Sequence, residues 1–137
     1  MKRLIALAII YSLVAAVAVA QDNNMQAAQQ SAERWLASVD KGDYTDSYDE
    51  AASIFKLAIT KKDWVQRIQA ARGPLGKLVS RKLKHAQYET SLPGAPDGKY
   101  VVILYDTSLE NKKSAVETIV PTLDKDGQWR VSGYFIR

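Results

Sequence analysis

At Gly73-Pro74-Leu75-Gly76 the spacing of apolar residues changes from a helical period to alternation, and that switch dictates the class of fold. Before it, Ala28, Ala32, Trp35, Leu36 and Val39 fall on one stripe of a helix, with Gln29, Glu33 and Lys41 opposite. Gly42 ends that helix, and Asp43 has the right chemistry to cap the next, with Asp46 favouring its positive end. Tyr44, Tyr48, Ala51, Ala52 and Phe55 line a second helix. Thr60 with Asp63 repeats the cap, and a third helix carries Trp64, Ile68 and Ala71 inward. After Gly76, strands are predicted near residues 78–90, 99–109, 114–123 and 128–136. Their connections are short enough for hairpins, so the sheet is expected to be an antiparallel meander. Helices gathered ahead of such a sheet give an α+β two-layer domain.

The first twenty residues read as an address rather than as part of that domain. Met1-Lys2-Arg3 is a positive start, Leu4 to Val14 is almost unbroken apolar sequence, and Ala18-Val19-Ala20 sets small residues before polar Gln21-Asp22. This is the three-part pattern of a secretory signal. A membrane anchor needs about 20 apolar residues, and no positive flank follows this run. The expected organisation is a signal peptide over 1–20 and a single domain over 21–137, in the periplasm or secreted, with no stable membrane insertion after cleavage. The chain has no Cys and one His, which removes disulfides, thiolate metal sites, cysteine nucleophiles, multi-histidine metal sites and lipidation of a cysteine after the apolar run. No metal or cofactor is expected.

Export halves the formal charge of +4, because Lys2 and Arg3 leave with the signal. What remains is unevenly spread. Residues 61–84 carry eight basic side chains and one acidic. In an exported protein, and without interleaved aromatic platforms, such a band does not point to nucleic acid. It reads as a solvated face, or as a surface for anionic envelope material or an acidic partner, with Lys77, Arg81, Lys82 and Lys84 as its candidate contacts.

Strand parity places the candidate polar site. Pairing Ser114 with Leu109 sets Asp106 opposite Glu117, and pairing Leu123 with Gln128 sets Glu117 opposite Tyr134. Pairing Thr90 with Lys99 puts His85 on the face of Asp106. His85, Asp106, Glu117 and Tyr134 would then form a cluster suited to a polar ligand or to proton transfer. Two opposed carboxylates repel, so that one of them would hold a proton in a desolvated site. Splayed, hydrated carboxylates, or a β-bulge that separates them, are the alternatives. Both sheet faces are more apolar than a solvated face needs. One should meet the helices and the other a partner subunit, a ligand or a cavity. Trp35, Trp64 and Trp129 sit at core-periodic positions, and the acidic run from Asp43 to Glu50 lacks the ligand order and glycine of a calcium loop. There is no glycine-rich phosphate loop ahead of a helix and no Gly-x-Ser-x-Gly elbow.

Taken together, Trp35-Leu36, Asp40-x-Gly42-Asp43-Tyr44, Phe55, Gly73-Pro74-Leu75-Gly76, Ser80-Arg81, Tyr100-Val101-Val102, Tyr105-Asp106-Thr107, Glu117-Thr118 and Trp129-Arg130-Val131-Ser132-Gly133-Tyr134 carry a resemblance. They resemble the exported bacterial family catalogued as domain of unknown function number 4019, over roughly residues 32–137. In its order of elements the chain is also similar to nuclear-transport-factor-2-like, or cystatin-like, folds. That resemblance implies three N-terminal helices on a curved four-stranded antiparallel meander, a cavity between the layers and a homodimer through the sheet. Relatives of that fold include isomerases that use Asp and Tyr, and many non-catalytic binding modules. Three functions follow as expectations. One is an exported, non-catalytic module that binds a small ligand or an envelope protein. A second is an isomerase-like cavity enzyme using Asp106, Glu117 and Tyr134. The third is an envelope-associated structural module acting through the basic band.

Overall fold

The computed structural model describes the backbone of residues 2–137 and the side chains from residue 16 onward. The expected signal segment lies largely outside the described side chains. Helix α1 spans Lys2–Asp40, followed by α2 (Tyr44–Asp49), α3 (Ser53–Ala58) and α4 (Lys61–Arg72), then a single 3-10 turn over Gly73–Leu75. Four strands complete the chain, β1 (Leu78–Glu89), β2 (Tyr100–Leu109), β3 (Lys112–Leu123) and β4 (Trp129–Ile136), paired in that order as an antiparallel meander. This is the α+β architecture that the change of period implies. Among the described residues no helix is long and apolar enough to cross a membrane.

The expected second helix is two short ones. Ala52 is extended (φ −64°, ψ 156°), and its amide donates to the Val131 carbonyl of β4 at 2.8 Å. A helical Ala52 would spend that amide within its own helix, so the break exchanges one local bond for one that ties the helical layer to the sheet. Asp43 makes no side-chain cap, whereas the Thr60 hydroxyl accepts from the Asp63 amide at 3.2 Å as its position implies. Gly76 joins the helical half to β1 at φ +76°, where a Cβ would stand 2.9 Å from the Glu110 Cβ, so both backbone and space call for glycine.

The α1 stripe packs Ala28, Ala32, Trp35, Leu36 and Val39 on Val101, Ile103, Ile119 and Val131 of the sheet, with Phe55, Trp64 and Ile68 closing the flank. Full burial of Leu36, Ile103 and Ile119 stabilises the fold by about 1.5–3 kcal/mol each. The three helix-borne aromatics pack tilted or edge-on, Trp35 against Trp64 at 5.8 Å and Phe55 against Trp64 at 4.9 Å. Ser47, fully buried on α2, satisfies both indoles: Trp35 Nε1 donates to its carbonyl at 2.7 Å and Trp64 Nε1 to its Oγ at 2.9 Å.

Register departs from simple parity at each hairpin. The β2–β3 turn is only Glu110-Asn111, with Leu109 opposite Lys112, and an irregularity between Thr107 and Leu109 then shifts the ladder. Glu117 therefore stands opposite Tyr105, and Asp106 opposite Val116. This corrects the expected Asp106–Glu117 pair: a slip of one residue sends a side chain to the other face. Across β3 and β4, Glu117 pairs with Ile136, and Ile119 pairs with Tyr134. Val120 faces Gly133 and Pro121 faces Val131, so Ser132 is an extra residue and the bulge turns Tyr134 inward. A bulge between Leu83 and His85 does the same in β1, bringing Ala86 and Tyr88 onto the face that Arg81 already shares.

Candidate functional site

Both long helical stripes end in a charge. Ala32, Leu36 and Asp40 are spaced four apart on α1, as Trp64, Ile68 and Arg72 are on α4, so each stripe delivers an ionised group to one end of the core. Asp40 closes the C-terminal turn of its helix, where the dipole disfavours an anion. The sheet answers from its inner face with Arg81 of β1, Thr107 of β2, Glu117 of β3 and Tyr134 of β4.

These six side chains form a closed network. Arg81 grips Asp40 with two parallel bonds, NH1 to Oδ2 at 2.7 Å and NH2 to Oδ1 at 2.9 Å, while its Nε donates to Glu117 Oε1 at 2.7 Å. Arg72 donates from NH2 to Asp40 Oδ1 at 3.1 Å, and its NH1 lies 3.4 Å from the Tyr134 hydroxyl and 3.7 Å from Glu117 Oε2. The Thr107 hydroxyl donates to Glu117 Oε1 at 2.6 Å and the Tyr134 hydroxyl to Oε2 at 2.5 Å. Glu117 is fully enclosed, with 0% of its surface exposed. Two cations and two anions balance, and each carboxylate has both oxygens occupied, which is the condition for keeping such charges out of water.

Burial alone would raise the Asp40 carboxyl, but the hydrogen bonds and charge of Arg81, then of Arg72, hold it below its ordinary value. Burial opposes the charge on Arg81, and the bonds from Asp40 and Glu117 more than offset it, so its guanidinium is held more firmly than usual. The Tyr134 phenol is pushed up by burial and by the Glu117 charge. Beside the network the Tyr105 phenol is pushed up to about 12, by burial first and then by the charge of Glu33. Its hydroxyl is buried without a hydrogen-bond partner among the described residues.

Of the four residues expected to cluster, Glu117 and Tyr134 meet inside the fold, and His85 and Asp106 lie on the outer face of the sheet. Asp106 is 60% exposed and 3.7 Å from Lys84, lining a shallow depression with Ser80, Lys82 and Lys113. His85 is exposed, 3.3 Å from the Gln87 side chain. Arg81, expected on the anionic-surface band with Lys77, Lys82 and Lys84, turns inward because it faces Thr107 across the ladder, and three exposed lysines remain. The expectation drawn from parity missed Asp40, Arg72 and Thr107. The spacing of Asp40 and Arg72 at the ends of two apolar stripes was the available signal. No group of metal-ligating side chains occurs among the described residues.

An open, apolar groove of about 440 Å³ lies beside the network, between α3 and α4 on one bank and Ser132–Ile136 on the other. Tyr134, partly buried, lines this groove, while Glu117 behind it is enclosed and has both oxygens engaged inside the network.

A family model described as "Protein of unknown function (DUF4019)" matches residues 31–134. No curated protein matches the chain. Among solved structures, a crystal structure of a candidate ketosteroid isomerase from Shewanella frigidimarina NCIMB 400 is similar, with a TM-score of 0.53 and 16% sequence identity. The alignment covers 81% of this chain and 94% of that one. At that identity the likeness speaks for the fold alone, which is nuclear-transport-factor-2-like, as the order of elements implies.

Proposed function

We propose that this chain, which belongs to the DUF4019 family of proteins of unknown function, is an exported, non-catalytic binding module. The observation that carries the reading is the enclosure of Glu117, whose oxygens are taken by Arg81, Thr107 and Tyr134. In a cavity enzyme of this fold an inward carboxylate must reach a substrate and exchange a proton with it. Here the inward carboxylate belongs to an ion-pair network, and Asp106, the other carboxylate of the enzyme reading, sits across the sheet on the opposite face. Binding then falls to surfaces outside the network. The leader pattern of residues 1–20 supports export, and with it a partner in the cell envelope.

Two measurements test this. The protein recovered after export should begin at Gln21. A ketosteroid isomerisation assay should give no turnover above that of Glu117→Gln. Turnover that vanishes in Glu117→Gln while that variant stays folded would overturn the non-catalytic reading.

A further inference from the structure

β4 ends the sheet, and its free edge changes character halfway along. In the first half the outward carbonyls are taken, Trp129 by the Ser31 hydroxyl at 2.7 Å and Val131 by the Ala52 amide at 2.8 Å. Farther on, Val116 and Arg137 exchange both backbone bonds, at 2.9 and 3.1 Å. Alternation along an antiparallel ladder then turns Phe135 toward β3 and points the backbone groups of Tyr134 and Ile136 away from it. No backbone from another element bonds to these groups among the described residues. The switch occurs at the Ser132 bulge, which shifts the phase of the edge by one residue.

The uncovered half borders the apolar groove, whose helical bank presents Phe55, Ile59, Trp64 and Ile68. Arg67 of α4 also lines it, exposed and in no ion pair among the described residues, unlike Lys61, Arg72 and Lys84. Phe135, 66% exposed, flanks the edge on the outer face.

We propose that this edge and groove receive an extended acidic segment of another polypeptide, added as a fifth strand beside β4. The proposal rests on the binding-module reading and gives that reading a site and a partner chemistry. Three features define the occupant. Free backbone donors and acceptors in a row are satisfied by a strand, because its own groups repeat at the same spacing. Apolar side chains on one face of that strand fill the groove. A carboxylate on that same face answers Arg67, which lines the groove. The same charge disfavours a second copy of this chain, since two β4 edges meeting would bring like-charged α4 surfaces together.

The test uses the purified protein and a short dye-labelled peptide whose alternate, groove-facing positions carry valines and one glutamate and whose remaining positions are serine, followed by fluorescence anisotropy. Binding is expected to weaken by about tenfold or more when lysine replaces glutamate, and Arg67→Glu should reverse the preference. N-methylation of alternate peptide residues should abolish binding for the set that faces β4 and spare it for the other set. Hydrogen exchange should slow at the Tyr134 and Ile136 amides when the peptide is bound. Equal binding of the two charge types, an unchanged preference in Arg67→Glu, or tolerance of both methylated sets would overturn the proposal. So would a concentration-dependent dimer that protects Tyr134 and Ile136 while the peptide does not bind, which assigns the edge to a second copy. Any of these outcomes leaves the non-catalytic reading standing, because that reading falls only to turnover lost in Glu117→Gln.

Discussion

Arg81 and Asp40, 41 positions apart in sequence, meet through two parallel hydrogen bonds of 2.7 and 2.9 Å that join the C-terminal turn of α1 to the edge strand β1. A planar guanidinium fits a carboxylate in this geometry, and lysine cannot reproduce the fork. Each group has one further partner, Glu117 for the Arg81 Nε at 2.7 Å and Arg72 for Asp40 at 3.1 Å, and each supplies a single bond where the pair has two.

Asp40→Ala should therefore be severe. It leaves two guanidinium groups enclosed without their shared anion, and the expected loss is about 3–5 kcal/mol in urea unfolding. Arg81→Lys keeps the charge and loses the fork, so its loss should be smaller than that of Asp40→Ala.

The same carboxylate sets an acid limit. Its folded-state value lies below the ordinary 3.8, since hydrogen bonds and charge from Arg81 and Arg72 outweigh the opposing effect of burial. Such a group contributes stability fully above its unfolded value, and that contribution is lost as pH falls through the lower folded one. Unfolding free energies measured from about pH 5 down to about pH 2 should decline in the parent. In Asp40→Asn, which starts lower, the decline should be shallower.

Tyr134 and Tyr105 should respond oppositely to loss of their hydroxyls. Tyr134→Phe removes a donor to Glu117 and should cost about 1–3 kcal/mol. Tyr105→Phe removes a buried hydroxyl that has no partner among the described residues, and should be neutral or slightly stabilising. Tyr105→Phe should also delete a late step near pH 12 from the alkaline absorbance titration.

Ser47→Ala tests the link between the two tryptophans. It removes the oxygen that accepts the Trp64 indole N–H at 2.9 Å while sparing the Trp35 bond to the Ser47 carbonyl. A loss of about 1–3 kcal/mol is expected, with a change in tryptophan fluorescence as the buried indole loses its partner.

Gly76→Ala meets both a left-handed φ of +76° and a 2.9 Å approach to Glu110 Cβ. The strain should cost about 1–3 kcal/mol, read as a lower melting temperature.

What the sequence made legible was whatever depends on period. The helical stripes, the change at Gly76, the Thr60 cap and the meander all follow from spacing and turn residues. The site depends on phase, and phase accumulates error at every turn and bulge. One irregularity between Thr107 and Leu109, beside the short hairpin, moved Glu117 across the sheet from where simple alternation put it, separating it from Asp106. Two bulges, at Lys84 and Ser132, then reset β1 and β4 separately. Nothing in the local chemistry of Arg81 distinguishes it from Lys82 as a surface cation. Its place inside follows from facing Thr107, which only the paired structure reveals. Asp40 and Arg72 were readable in principle, each continuing an apolar stripe by one more turn.

The ionic cluster also has a bearing on how the chain reaches its fold. Its members come from α1, α4 and all four strands, so no subset of neighbouring elements can neutralise its charges. A collapsed intermediate that lacked any one of these elements would enclose a polar or charged group without its partner, a state water would readily reopen. Partial order is thereby penalised at every stage, and assembly should run as a single cooperative event, with the last strand to arrive completing the satisfaction of Glu117.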